Sequence, residues 1–93
     1  MAVIFRIPAY LAAFAGNSNS VTVEGTPSTA HDALQLLWRL HPALRDRIVD
    51  EQGEVRQHIN VFVGNECIRF TGGLATPVPE GAELLVVPAV SGG

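Results

Sequence analysis

Only one segment of this chain has the period of an amphipathic helix. Ala30, Ala33, Leu34, Leu37 and Trp38 fall at i, i+3, i+4, i+7 and i+8, a continuous apolar stripe, with His31, Asp32, Gln35 and Arg39 largely off it. The other strongly patterned segments read as strands. The helix must pack on their sheet, and one helix cannot cover both faces, so one sheet face stays open.

The strand signals run in a definite order. Val3-Ile4-Phe5-Arg6-Ile7 is rich in β-branched and aromatic residues and is ended by Pro8. Residues 10–14 are apolar but short and read as a loop or a single turn, and Gly16 to Ser20 is a run of turn formers. Val21-Thr22-Val23-Glu24 alternates apolar with polar, as a half-buried strand does, and is expected to pair with the first strand as a hairpin. Thr26 offers an N-cap oxygen and Pro27 suits a first helical position, so the helix is expected to start there and to end near His41, ahead of Pro42. A short second turn over 43–48 and a solvated loop at 50–54 follow.

Ile59-Asn60-Val61-Phe62-Val63 is the clearest strand, turned by Gly64-Asn65-Glu66 into a shorter extended piece at 67–70. Gly72-Gly73 and residues 77–81 carry turn chemistry. Leu84-Leu85-Val86-Val87 is a near-continuous apolar strand, expected in the middle of a sheet. The order predicts an α+β β-grasp, the ubiquitin-like fold: a mixed sheet with one main helix and a flexible C-terminal Gly-Gly tail. The domain is expected to occupy 1–87 and the extended tail 88–93.

Composition excludes several functions. Ninety-three residues make one small domain. Six basic against nine acidic residues give a net charge of −3 with no basic cluster, so the attraction that drives nucleic-acid binding is missing. The apolar run at the N-terminus is broken by Arg6 and Pro8, well short of a secretory or membrane-spanning segment, and no membrane attachment is expected. Cys67 is the single cysteine, which excludes an intrachain disulfide and a thiolate metal cluster and points to a reducing, cytoplasmic compartment. With only Arg69 nearby in sequence, Cys67 reads as a small packed hydrophobe.

His31, His41 and His58 lack ligand spacing, so no metal site is expected, and no serine has a readable His/Asp constellation. Gly72-Gly73 would cradle phosphate only by opening a helix, which Leu74-Ala75-Thr76-Pro77 cannot sustain.

The C-terminus carries the remaining chemistry. Two glycines at a given pair of positions arise by chance roughly once in 200, and a frayed end is the plain reading of such a terminus. Here, however, an apolar strand leads into the tail without a gap, and the five residues beyond Pro88 reach at most roughly 17 Å. The Gly93 α-carboxylate is thus expected to project a short distance from a rigid base. A carboxylate is a poor electrophile until it gains a better leaving group. Adenylation by ATP supplies one, and sulfide or a persulfide can then displace the nucleotide to leave a terminal thiocarboxylate. Gly92 and Gly93, lacking Cβ, can thread a narrow channel and let enzyme groups approach the terminal carbon. Val90 and Ser91 are expected to add extended contacts to a partner.

Pro88-Ala89-Val90-Ser91-Gly92-Gly93 resembles the ending of the small β-grasp sulfur carriers: the molybdopterin synthase small subunit, the thiamine sulfur carrier and the CysO-type carrier of thiocarboxylate-dependent cysteine synthesis. The CysO-type proteins are resembled most, through Asn60-Val61-Phe62-Val63, the block from Arg69 to Thr76, Gly81 and the tail. The resemblance covers roughly the C-terminal third closely, and the earlier strand–helix order is compatible with it. It implies a protein co-substrate rather than an enzyme, with Gly93 adenylated and thiocarboxylated by a ubiquitin-activating-like adenylyltransferase/sulfurtransferase. The sulfur would attack an aminoacrylate on pyridoxal phosphate (PLP) in a cysteine synthase, and after an S-to-N acyl shift a zinc metallopeptidase would free cysteine. On this reading ATP, sulfide or persulfide, PLP and zinc all belong to the partners. The molybdopterin synthase small subunit and a ubiquitin-like protein modifier or interaction module are the alternatives.

Two further features bear on docking. If Ile59, Val61 and Val63 face the helix, Asn60 and Phe62 point to the open face. Phe62 is then either an exposed docking residue or covered by the loop after Phe70. Charged residues are only 16% of the chain, against about 25% in soluble domains, which leaves surface for docking. All six basic residues are arginines, so an activated Gly93 meets no lysine amine on its own chain.

Overall fold

A computed structural model describes residues 2–89. Five strands, β1 (Ala2–Arg6), β2 (Ser20–Glu24), β3 (Ile59–Val63), β4 (Glu66–Cys67) and β5 (Glu83–Pro88), form one mixed sheet in the order β2-β1-β5-β3-β4. β1 pairs antiparallel with β2 and parallel with β5, while β3 is antiparallel to both β5 and β4. The main helix α1 (Ala30–Leu40) lies between the β1–β2 hairpin and β3 in the chain, and a short α2 (Arg45–Ile48) follows it. This is the expected β-grasp architecture.

Period-2 alternation places the core. Val21, Phe5, Leu84 and Val63 stand in one row across four strands, all buried on the side of α1. Ala30, Ala33, Leu34 and Leu37 supply the helix's share of that core, and Trp38 packs at its margin. Leu37 is fully buried, so its truncation to alanine costs about 2–5 kcal/mol. Where a loop or a single turn is expected, residues 9–14 form a six-residue 3₁₀ helix that buries Leu11 in the core.

The helix starts later than Thr26 and Pro27 suggest. Before it can begin, Ser28 and Ala30 bond to the chain beyond the sheet: Val78 N–H donates to the Ser28 carbonyl (2.9 Å) and Ala30 N–H to the Thr76 carbonyl (2.9 Å). That bridge holds Thr29 extended opposite Pro77, so Thr29 becomes the N-cap, its hydroxyl accepting from Asp32 N–H at 3.2 Å. His41 stands at the C-cap, as the position of Pro42 requires.

Two other expectations need correction. The extended piece at 67–70 is a two-residue strand, Glu66–Cys67, followed by a 3₁₀ turn over Ile68–Phe70 that swings Ile68 into the core. The last strand is longer than residues 84–87 and runs through Pro88, which lies on the ladder rather than beyond it. Gly72 and Gly73, with φ of 116° and 61°, make the tight turn expected of them. Beneath that turn Thr76 is buried, its hydroxyl donating to the Gly73 carbonyl at 2.7 Å and lying 3.0 Å from the Thr71 hydroxyl.

Candidate functional site

The site expected from the sequence is the chain's end and the surface that presents it. The base of the tail is well defined. β5 occupies the centre of the sheet, with β1 on one side and β3 on the other. The β3–β5 register is fixed from Val63↔Leu84 to Ile59↔Pro88, and Gly64 N–H to Glu83 carbonyl (2.8 Å) and Ala89 N–H to His58 carbonyl (2.8 Å) bound it. Antiparallel ladders alternate hydrogen-bonded with non-hydrogen-bonded pairs, so Asn60/Val87 and Phe62/Leu85 are bonded pairs and Ile59/Pro88 is not. Pro88 therefore stands where its missing N–H breaks no bond to β3, and β1 pairs with β5 only as far as Leu85. Ala89 carries the ladder one step past the proline. Val90, Ser91, Gly92 and Gly93 lie outside the described residues.

On the face opposite α1, Arg6, Leu85, Phe62 and Cys67 form a row across β1, β5, β3 and β4. Phe62 takes neither extreme expected of it: it is half-buried, as are Leu85, Val87, Ile4 and Cys67. The near-continuous apolar run Leu84–Val87 lies in the middle of the sheet, as expected, but only Leu84 and Val86 are fully buried. Strand alternation, carried across the register from Phe62, puts Leu85 and Val87 on the open face instead. Arg6 and Glu83 pair at 2.7 Å at the edge of this apolar row, both largely solvated, so the pair contributes little to stability. Phe70 is 86% exposed, a large apolar side chain that periodicity did not single out because it sits in a 3₁₀ turn.

The remaining polar residues are dispersed. His31 contacts Gln35 and Asp32 on α1, His41 caps that helix, and His58 precedes β3. Among the described residues no three His, Cys, Asp or Glu side chains come together as a metal site, and no helix is long and apolar enough to cross a membrane.

A mixed sheet in this order, with one helix across one face and the last strand at its centre, defines a small ubiquitin-like β-grasp protein, and the family and relatives it matches make it a sulfur carrier. The chain belongs to the ThiS family, whose model matches residues 5–93. It is 32% identical to the sulfur carrier protein CysO of Mycobacterium tuberculosis over 95 residues that cover 100% of both chains. It is 38% identical over 90 residues to small archaeal modifier protein 1 of Haloferax volcanii, covering 96% of this chain and 98% of that one. A chain of the crystal structure of the BexX/CysO complex from Amycolatopsis orientalis superposes with a TM-score of 0.85 at 34% identity, covering 98% of this chain and 99% of that one.

Proposed function

We propose that the Gly93 carboxylate is the sulfur-bearing group: adenylated with ATP by a ubiquitin-activating-like enzyme, converted to a thiocarboxylate, and used to deliver sulfur in cysteine biosynthesis. The observation that carries this reading is the match to a sulfur carrier named CysO along the whole of both chains. The geometry at the base of the tail supports it. β5 is held by β1 as far as Leu85 and by β3 through Pro88, and Ala89 is bonded to His58, four residues before Gly93 in the sequence.

In the first step a Gly93 carboxylate oxygen attacks the α-phosphorus of ATP and pyrophosphate leaves. Sulfide sulfur then adds to the acyl carbon and AMP leaves, so one oxygen of the carboxylate is exchanged for sulfur. No group of the folded domain takes part; the chain is a co-substrate. Pro88, Ala89, Val90, Ser91 and Gly92 are the segment that an activating enzyme's channel would grip, with Phe62, Leu85 and Val87 as the surface against which it would dock.

The test is reconstitution. Thiocarboxylated chain, a PLP-dependent synthase and O-phosphoserine should yield a carrier with cysteine amide-linked to Gly93, from which a zinc metallopeptidase releases free cysteine. Sulfur delivery to a molybdopterin precursor but not to O-phosphoserine would contradict the cysteine assignment. A second reading, conjugation to target proteins, is favoured by the 38% identity to a small archaeal modifier protein. Recovery of the chain's C-terminal peptide isopeptide-linked to lysines of cellular proteins, dependent on Gly93, would support it.

A further inference from the structure

We propose that Arg69 is a positioning residue for the C-terminal tail, its guanidinium locking the turn whose His58 carbonyl holds Ala89. The inference rests on the carrier reading above, in which the tail's direction matters.

The turn spans residues 56–59 and is closed by Ile59 N–H donating to the Arg56 carbonyl at 3.0 Å. Arg69 Nη2 donates to the Arg56 carbonyl (2.9 Å) and to the Ile59 carbonyl (2.7 Å), which uses both its hydrogens; the Gln57 carbonyl lies further off at 3.4 Å. Nε of the same side chain donates to Asn60 Oδ1 at 2.8 Å. One planar fork therefore brackets the turn at its first and last carbonyls and ties it to β3. The far side is fixed as well, because Arg56 N–H donates to the Ile48 carbonyl (3.0 Å) and Arg56 Nε to the Asp46 carbonyl (2.9 Å). Between the bracketed carbonyls stands His58, whose own carbonyl accepts Ala89 N–H at 2.8 Å.

Arg69 itself is exposed, yet its Nε and Nη2 are bonded to the segment 56–60. Its backbone is anchored by the buried neighbour Ile68. Charge-assisted bonds of this kind are stronger than neutral ones, and their spread over two nitrogens of a rigid plane is a property of arginine that lysine does not share. Because Ile59/Pro88 is a non-hydrogen-bonded pair, the Ala89–His58 bond is the next rung of the ladder after Asn60/Val87 and the last one among the described residues. Releasing the turn frees that acceptor and lets the end of β5 open locally without unfolding the sheet.

Amide hydrogen exchange of the full chain, comparing wild type with Arg69→Gln and Arg69→Lys, reads this directly. In both variants the Ala89 amide should exchange about tenfold faster or more, while the Phe62 and Val87 amides inside the β3–β5 ladder keep their protection. Unchanged exchange at Ala89, wild-type behaviour of Arg69→Lys, or loss of protection spread along the whole ladder overturns the assignment. With the activating enzyme, both variants should raise KM for the carrier and leave kcat unchanged, since the docked tail must be ordered at the expense of binding. A lowered kcat at unchanged KM would contradict the assignment. The exchange measurement needs no enzyme, so failure of wild type to acquire sulfur would sink the carrier reading and leave the Arg69 result standing.

Discussion

Phe62 and Leu85 stand opposite each other as a hydrogen-bonded pair of the β3–β5 ladder, both half-buried on the face that α1 leaves uncovered. Their neighbours in sequence, Val61 and Leu84, are fully buried on the other face. The same two strands thus build the core with one set of side chains and an apolar surface with the other.

On the proposed function, that division separates stability from docking. Phe62→Ala is expected to cost less stability than the about 2–5 kcal/mol of Leu37→Ala, and to raise the activating enzyme's KM for the carrier about tenfold. Urea unfolding and steady-state loading measure the two effects. A Phe62→Ala protein that loads with wild-type KM would remove the open face from the docking surface.

The helix start offers a paired test. Thr29→Ala removes the oxygen that accepts Asp32 N–H and should cost about 1 kcal/mol, whereas Thr26→Ala, three residues upstream of that cap, should change stability by less than about 0.5 kcal/mol. Equal losses, read from urea midpoints at constant m, would contradict the assignment of the cap to Thr29.

Gly25, which links β2 to the bridge before α1, has φ of 143°, and a Cβ there would lie 2.8 Å from Leu36 Cδ1. Leu36 can rotate away, but the backbone strain remains, so Gly25→Ala should destabilise by about 1–3 kcal/mol. A thermal melt unchanged from wild type would show that this turn can relax.

The fold was legible because its signals are local. Val21 and Val23 alternate with polar residues, Ala30 to Trp38 carry the helix stripe, and Pro42 and Gly72-Gly73 mark breaks that the structure keeps. What sequence could not show depends on segments distant in the chain. Thr29 became the cap because Thr76 and Val78 bond to its neighbours, nearly fifty residues on. Leu85 lies on the open face because of its register with Phe62, and an uninterrupted run of apolar residues hides the alternation. Arg69 enters the sequence only as the cation near Cys67 and as the start of the block shared with the CysO-type carriers; its bonds to the turn at 56–59 exist only once the fold brings the two segments together.

The central claim concerns one carboxylate, and the intact mass of the chain tests it most directly. After incubation with ATP, the cognate activating enzyme and sulfide, the mass should rise by the difference between one sulfur and one oxygen. Fragmentation should place the change on Gly93, and a folded chain lacking Gly93 should show none. An unchanged wild-type mass with an enzyme shown to be active, or sulfur found on Cys67 instead of Gly93, would contradict the account.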